Sequence, residues 1–252
     1  VWPVVCTELH GEIHCVSFAS AAPGDALSPT APQGYHIIAM RLLLLYGINC
    51  SQTVWTPLMP LLADYEAEYV QYPHSITMRA RSPLDLAKWI FSQYGQYPWD
   101  AIIGHSLGGL LALQLTGELG MQAKKIVCLD TNFRPAGSFY RNLMTPAHMR
   151  TMGPDVLHML EQERVFYTQE MLASLKESFD YTNLLLSVSQ EVYVLYGDRE
   201  RPEYQERIRE LFLPKKVLKK LHIRFVPHAC HMLMLENPIE TALAIREILP
   251  LP

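Results

Sequence analysis

Short apolar runs that alternate with helix-like segments constrain this chain more than any other feature. Leu42 to Tyr46 is a continuous apolar run closed by Gly47, the pattern of a strand buried on both faces of a parallel sheet. Val54 to Tyr65 has helical spacing, and Ala67 to Tyr72 returns to strand character before Pro73. Ser82 is placed to cap a helix that opens with Pro83 and runs towards Tyr94 and Gly95. Ala101 to Ile103 then reads as a strand, Leu107 to Leu119 as a helix and Lys125 to Leu129 as a strand. Strands and helices in strict alternation predict an α/β fold: a mostly parallel sheet covered by helices on both faces.

The rhythm breaks at about 133–189, which has no strong strand but shows helical periodicity over Pro146 to Gln169 and Glu170 to Phe179. This stretch reads as a small helical insertion. Its aromatic and Met residues are expected mainly to pack it onto the sheet, although flexible Met side chains also suit an adaptable pocket. Alternation resumes with a strand over Val192 to Tyr196, a helix over Pro202 to Phe212, a strand over His222 to Val226 and a closing helix over Ile239 to Leu249.

Residues 1–39 differ from the rest. Val4 to Leu9 and Glu12 to Phe18 suit a hairpin around His10-Gly11, and Ser20 to Gly34 has the Ala, Pro, Ser and Gly content of a mobile linker. Met40 directly precedes the first core strand, so a second reading starts the native protein there and treats 1–39 as upstream sequence. Either way, residues 40–252 form the main predicted domain.

With 49% hydrophobic and 18% charged residues, a large core is available. The net charge of −4 offers no basic field for nucleic acid, and the cluster Lys215, Lys216, Lys219 and Lys220 reads as a solvated helix end. The cysteines, Cys6, Cys15, Cys50, Cys128 and Cys230, lack disulfide-framework or zinc-ligand spacing, so a reducing, cytoplasmic setting is expected. No apolar run has the length of a membrane span, and Ser17 to Ala22 is a poor match to a leader cleavage site.

Gly104-His105-Ser106-Leu107-Gly108 has the pattern G-x-S-x-G, followed by Gly109. It lies between the strand ending at Ile103 and the helix continuing through Leu110 and Leu113. A serine there must turn sharply, and Gly104 and Gly108 leave room for the turn. Its hydroxyl is then presented at the carboxyl end of a parallel strand, beside the free N–H groups of a helix start. Ser106 is the candidate nucleophile.

From Leu42 to Gly47, Gly104 to Gly109, Val192 to Glu200 and His231 to Pro238, the chain resembles the α/β-hydrolase superfamily over nearly all of Met40 to Pro252, in its carboxylesterase and lipase-like serine hydrolases with a helical cap. The resemblance implies one oxyanion N–H donor at Leu107 and a second in Tyr46-Gly47-Ile48-Asn49, where Ile48 is the choice and Asn49 the neighbour; the usual His-Gly is absent. It implies His231 as the base, before Glu236-Asn237-Pro238, with His228 as its competitor and Cys230 in place of the usual Gly. His105 is assigned to packing. The family order of nucleophile, acid and histidine points to Gly197-Asp198-Arg199-Glu200 for the acid: Glu200 is at the acid position and Asp198 is the alternative. Asp130 is the acid position in some relatives, but here it reads first as a capping or loop-ordering carboxylate.

The implied chemistry is acyl transfer to Ser106 and hydrolysis of the acyl-enzyme, with a small to medium carboxylic ester as substrate and no cofactor or metal. The resemblance casts the insertion as a cap over the site, with Met and aromatic residues selecting apolar groups. A lyase or other non-hydrolytic relative is the alternative, favoured if Arg134, Arg141, Arg150 or Arg164 forms a basic pocket. A non-catalytic binding protein on the same fold is the third reading.

Overall fold

The computed structural model describes residues 6–9, 12–15, 40–176 and 179–251. The chain divides into two units, Val1–Ile37 and Ile38–Pro252. In the first, β1 (Cys6–Leu9) pairs antiparallel with β2 (Glu12–Cys15), with Cys6 opposite Cys15. The remaining residues of the expected hairpin strands, and the expected linker, lie outside the described residues.

The second unit is built on β3 (Arg41–Leu45), β4 (Glu66–Tyr69), β5 (Trp99–His105), β6 (Ala123–Leu129), β7 (Glu191–Gly197) and β8 (Leu221–Val226). They form one sheet in the order β4-β3-β5-β6-β7-β8, and every neighbouring pair is parallel. Parallel neighbours need crossovers, and the apolar helices that make them bury the sheet. Hence Leu42, Leu43, Leu44 and Leu45 are all closed to solvent. The helix Leu107–Gly117 is buried from Leu107 to Leu115, which explains a composition apolar on every side. Ser82 caps the helix Pro83–Tyr94 in a reciprocal box with Asp85.

Register sets up the site. His105 pairs with Leu129, and Leu129 pairs with Leu195, so β5 and β6 end level with each other inside the sheet. Ser106 and Asp130 are therefore the first residues beyond the paired ends of adjacent strands. This is the edge where parallel sheets place ligands.

Three expected elements differ in detail. Val54 to Tyr65 forms two 3-10 turns, Gln52–Trp55 and Pro60–Leu62, because Pro57 and Pro60 interrupt an α-helical ladder. β4 stops at Tyr69, and Pro202 to Phe212 is the 3-10 segment Tyr204–Leu211, closed by Phe212 at φ 52°.

The stretch at about 133–189 has no strand among its described residues. It contains the 3-10 turn Ser138–Arg141 and the helices Pro146–Thr151, Gly153–Arg164, Gln169–Ser174 and Thr182–Ser187. Phe133, Phe139, Tyr140, Met144, Tyr167 and Met171 are buried in the core, and Met149, Met152 and Met159 pack against it. Among the described residues, no helix is long and apolar enough to cross a membrane.

Candidate active site

β5 ends at His105 and the next helix begins at Leu107, so Ser106 alone makes the turn. It does so at φ 52° and ψ −114°, a sparsely populated conformation for an L-residue. The surroundings hold it there. Ser106 N–H donates to the Leu129 carbonyl at 2.9 Å, and the Ser106 carbonyl accepts from Gly109 N–H at 3.1 Å and Thr131 Oγ1 at 3.0 Å. The glycines are required by space: a Cβ on Gly108 would lie 2.0 Å from the Leu45 carbonyl oxygen, and one on Gly104 2.2 Å from the Gly108 carbonyl carbon.

One residue past β6, Asp130 is fully buried and accepts a hydrogen bond from His231 Nδ1 at 2.9 Å on Oδ1. An ionised carboxylate only accepts, so Nδ1 carries the proton of this bond, the tautomer that leaves Nε2 with the lone pair whenever the ring is neutral. Arg199 grips the same carboxylate with Nη2 2.9 Å from Oδ1 and Nη1 2.8 Å from Oδ2. Burial alone would raise the Asp130 pKa; the Arg199 charge and the His231 hydrogen bond outweigh it and hold it down at about 2.

Glu200 and Asp198, expected at the acid position, do not meet His231. Glu200 is exposed and its Oε1 faces His228 Nδ1 at 3.6 Å, while Asp198 Oδ1 accepts from the Glu200 N–H at 2.9 Å in a local turn. The turn after β7 points its middle residue inward, with Arg199 at φ 53° and its N–H bonded to the Ala229 carbonyl. A cation thus occupies the place expected for the acid. The acidic partner comes instead from β6, through the residue read first as a loop-ordering carboxylate. Nothing in the sequence marks Arg199 for a role beyond its place between two candidate acids.

Ser106, His231 and Asp130 open on one cavity of about 410 Å³. Ile48 and Leu107 line it too, and among the described residues neither backbone N–H has a protein acceptor. Gly47 brings the Ile48 turn close, since a Cβ there would lie 3.0 Å from Ser106 Cβ. Leu110, Pro135, Ala136, Leu175 and Phe179 make the wall apolar, and Arg141, Lys176 and Asn132 add polar groups. None of the insertion's methionines lines this cavity; they serve packing, contrary to the selecting role that the resemblance implied for them. Of the four arginines considered for a basic pocket, Arg141 alone is on this wall.

Two further contacts brace the His231 loop. His105 is buried and its Nε2–H donates to the His231 carbonyl at 3.1 Å; burial, then the nearby His231 charge, push its pKa down to about 3, so the ring is neutral. Glu236, with a buried side chain, accepts from the Cys230 N–H at 2.8 Å and the Thr145 N–H at 2.7 Å, tying the loop to the insertion. Among the described residues, no three His, Cys, Asp or Glu side chains converge as a metal-binding group.

No protein-family model matches the chain. It is 32% identical over 96 residues to a pimeloyl-[acyl-carrier protein] methyl ester esterase of Shewanella woodyi, a match that takes in 36% of each chain. Its structure resembles a thermophilic esterase from Thermogutta terrifontis at a TM-score of 0.59 and 18% identity, covering 84% of this chain and 89% of that one. It also resembles the esterase RhEst1 from Rhodococcus sp. ECU1013 at a TM-score of 0.63 and 17% identity, covering 85% and 92%. With the parallel six-stranded sheet, these likenesses identify the architecture: the chain has the α/β-hydrolase fold.

Proposed function

We propose that the protein is a serine hydrolase of small to medium carboxylic esters, with Ser106 as nucleophile, His231 as base and Asp130 as acid. The observation that carries this reading is the 2.9 Å hydrogen bond from His231 Nδ1 to buried Asp130 beside the cavity on which Ser106 opens. His231 Nε2 takes the Ser106 proton as Oγ bonds to the ester carbonyl carbon. The N–H groups of Leu107 and Ile48 receive the developing oxyanion, a contribution of about 3 to 4 kcal/mol per donor in comparable sites. Collapse breaks the bond to the alkoxy oxygen, which leaves as the alcohol with the proton from Nε2. Water, deprotonated by the same nitrogen, then releases the carboxylic acid and restores Ser106.

The esterases among the similar proteins support an ester substrate, and the apolar wall of Leu110, Leu175 and Phe179 supports an acyl or alcohol group of modest size. A reducing, cytoplasmic setting is part of this reading, supported by the buried free thiols of Cys50, Cys128 and Cys230. Labelling with a fluorophosphonate and mapping of the adduct tests it. The adduct should sit on Ser106 and vanish in Ser106→Ala, and His231→Ala should abolish turnover of short p-nitrophenyl esters. Labelling that persists in Ser106→Ala sinks the reading.

Arg141 and Lys176 on the cavity wall favour a second reading, a lyase or other non-hydrolytic reaction on a carboxylate-bearing substrate. A protein that labels at Ser106 yet turns over no ester in a panel of short and medium acyl chains would support it.

A further inference from the structure

We infer that Arg199 is a positioning residue that holds Asp130 ionised and turned towards His231, an inference that rests on reading Asp130 and His231 as the catalytic acid and base. Every nitrogen of its guanidinium is committed. Nη2 donates to Asp130 Oδ1 at 2.9 Å, Nη1 lies 2.8 Å from Asp130 Oδ2 and donates to the Gly197 carbonyl at 2.7 Å, and Nε donates to the Phe139 carbonyl at 2.9 Å. The cation also lies 5.1 Å from the ring centroids of both Phe139 and Tyr140, which belong to the insertion. A planar fork bound at both carboxylate oxygens leaves that carboxylate one orientation, and in it Oδ1 faces His231 Nδ1.

The charge matters as much as the shape. The titratable groups facing Asp130 besides Arg199 and His231 are His105, Tyr140, Tyr196 and Cys230. Burial keeps His105 neutral, raises both phenols and pushes the Cys230 thiol up to about 12. None of these four offers a charge at neutral pH. Among the described residues, Arg199 is thus the one permanent cation in contact with a carboxylate that burial alone would drive towards protonation. A protonated Asp130 would accept from Nδ1–H only as a neutral carbonyl and would lose the charge that stabilises an imidazolium on His231.

Arg199 does not line the cavity, so its effect should fall on kcat and not on KM. Two variants separate charge from shape: Arg199→Met removes the cation, and Arg199→Lys keeps it but loses the fork. The first measurement needs no substrate. The hydrogen-bonded Nδ1–H of His231 should give a downfield proton resonance, absent in His231→Gln, that persists in the wild type as the pH is lowered. In Arg199→Met that resonance should fade already below about pH 7, as an unshielded buried acid takes up its proton. In Arg199→Lys it should persist.

The second measurement is ester hydrolysis. Arg199→Met should lose about 10²-fold in kcat with KM within about twofold, the scale expected when a reacting group is displaced by a fraction of its reach. Its acid limb should move to higher pH. Arg199→Lys should lose about tenfold in kcat with the acid limb in place. If Arg199→Met does not fold, the kcat and KM of Arg199→Lys decide. Wild-type kcat, pH profile and resonance in the variants would overturn the inference, as would a rise in KM at unchanged kcat or a wild type without the resonance. Turnover that survives Ser106→Ala defeats the hydrolase reading instead, and the resonance still reports whether Arg199 holds the Asp130–His231 pair.

Discussion

Asp130 and Arg199 leave the ends of neighbouring strands and meet in a two-pronged ion pair with side chains 0% and 1% exposed. Neither charge has water to fall back on, so the pair is tolerable only because both carboxylate oxygens and all three guanidinium nitrogens are bonded. The same Oδ1 serves His231, which makes a structural ion pair and a candidate catalytic contact inseparable.

Replacing Asp130 by Asn should therefore act twice. Loss of the carboxylate frees His231 to take the wrong tautomer, and kcat should fall about 10⁴-fold. It also leaves Arg199 buried without its counter-charge, at a cost of about 3–5 kcal/mol measured by urea unfolding. Glu200→Gln and Asp198→Asn should keep kcat close to wild type. A large loss in Glu200→Gln with little in Asp130→Asn would return the acid to the β7 turn.

Gly108→Ala should be poorly tolerated although Ala is a better helix former. Its Cβ would lie 2.0 Å from the Leu45 carbonyl oxygen, and backbone on both sides must move. A loss of about 1–3 kcal/mol or more is expected from such overpacking, with a disproportionate fall in fluorophosphonate labelling. Circular dichroism melts and labelling rates on the same sample check both.

Stability should decline on acidification through His105. The unfolded side chain takes a proton near the ordinary 6.5, whereas burial holds the folded one at about 3. As pH falls between those values the unfolded state binds more protons, and stability drops by about 1.4 kcal/mol per pH unit. Asp130 adds a further loss from about its ordinary 3.8 down to about 2, since its folded pKa is depressed. In His105→Gln, urea unfolding at pH 7, 6 and 5 should lose the His105 slope; an unchanged slope would show that the ring is already charged in the fold.

Phe179→Ala should enlarge the cavity on the insertion side and shift selectivity from short to longer acyl chains. A methylene in an apolar pocket is worth about 1–3 kcal/mol, so the ratio of kcat/KM for p-nitrophenyl octanoate over acetate should rise about tenfold. An unchanged ratio would place the acyl group against another wall.

Much of this was legible in the chain itself. Leu42 to Tyr46 and Lys125 to Leu129 announce buried parallel strands because a strand covered on both faces has no polar side. The turn at Ser106 is legible because its requirement is local: a residue between strand and helix needs the room left at Gly104 and Gly108. Val54 to Tyr65 carries helical apolar spacing, but Pro57 and Pro60 lack the N–H that an α-helical ladder needs, and the backbone follows the prolines. The methionines of the insertion pack against the core as mainly expected, although packing and pocket use the same composition.

The acid shows where such reading stops. Asp198 and Glu200 sit in the sequence context of the expected acid, but the φ of 53° at Arg199 turns the guanidinium inward and leaves Glu200 facing solvent. Asp130 meets His231 across 101 positions of chain, a contact that no local pattern encodes. The sequence by itself determined the alternating architecture and the strained serine turn, because propensity, pattern and glycine space act between near neighbours. Only the tertiary structure decided which carboxylate faces the imidazole, because that depends on strand register and on one buried cation able to keep the carboxylate charged.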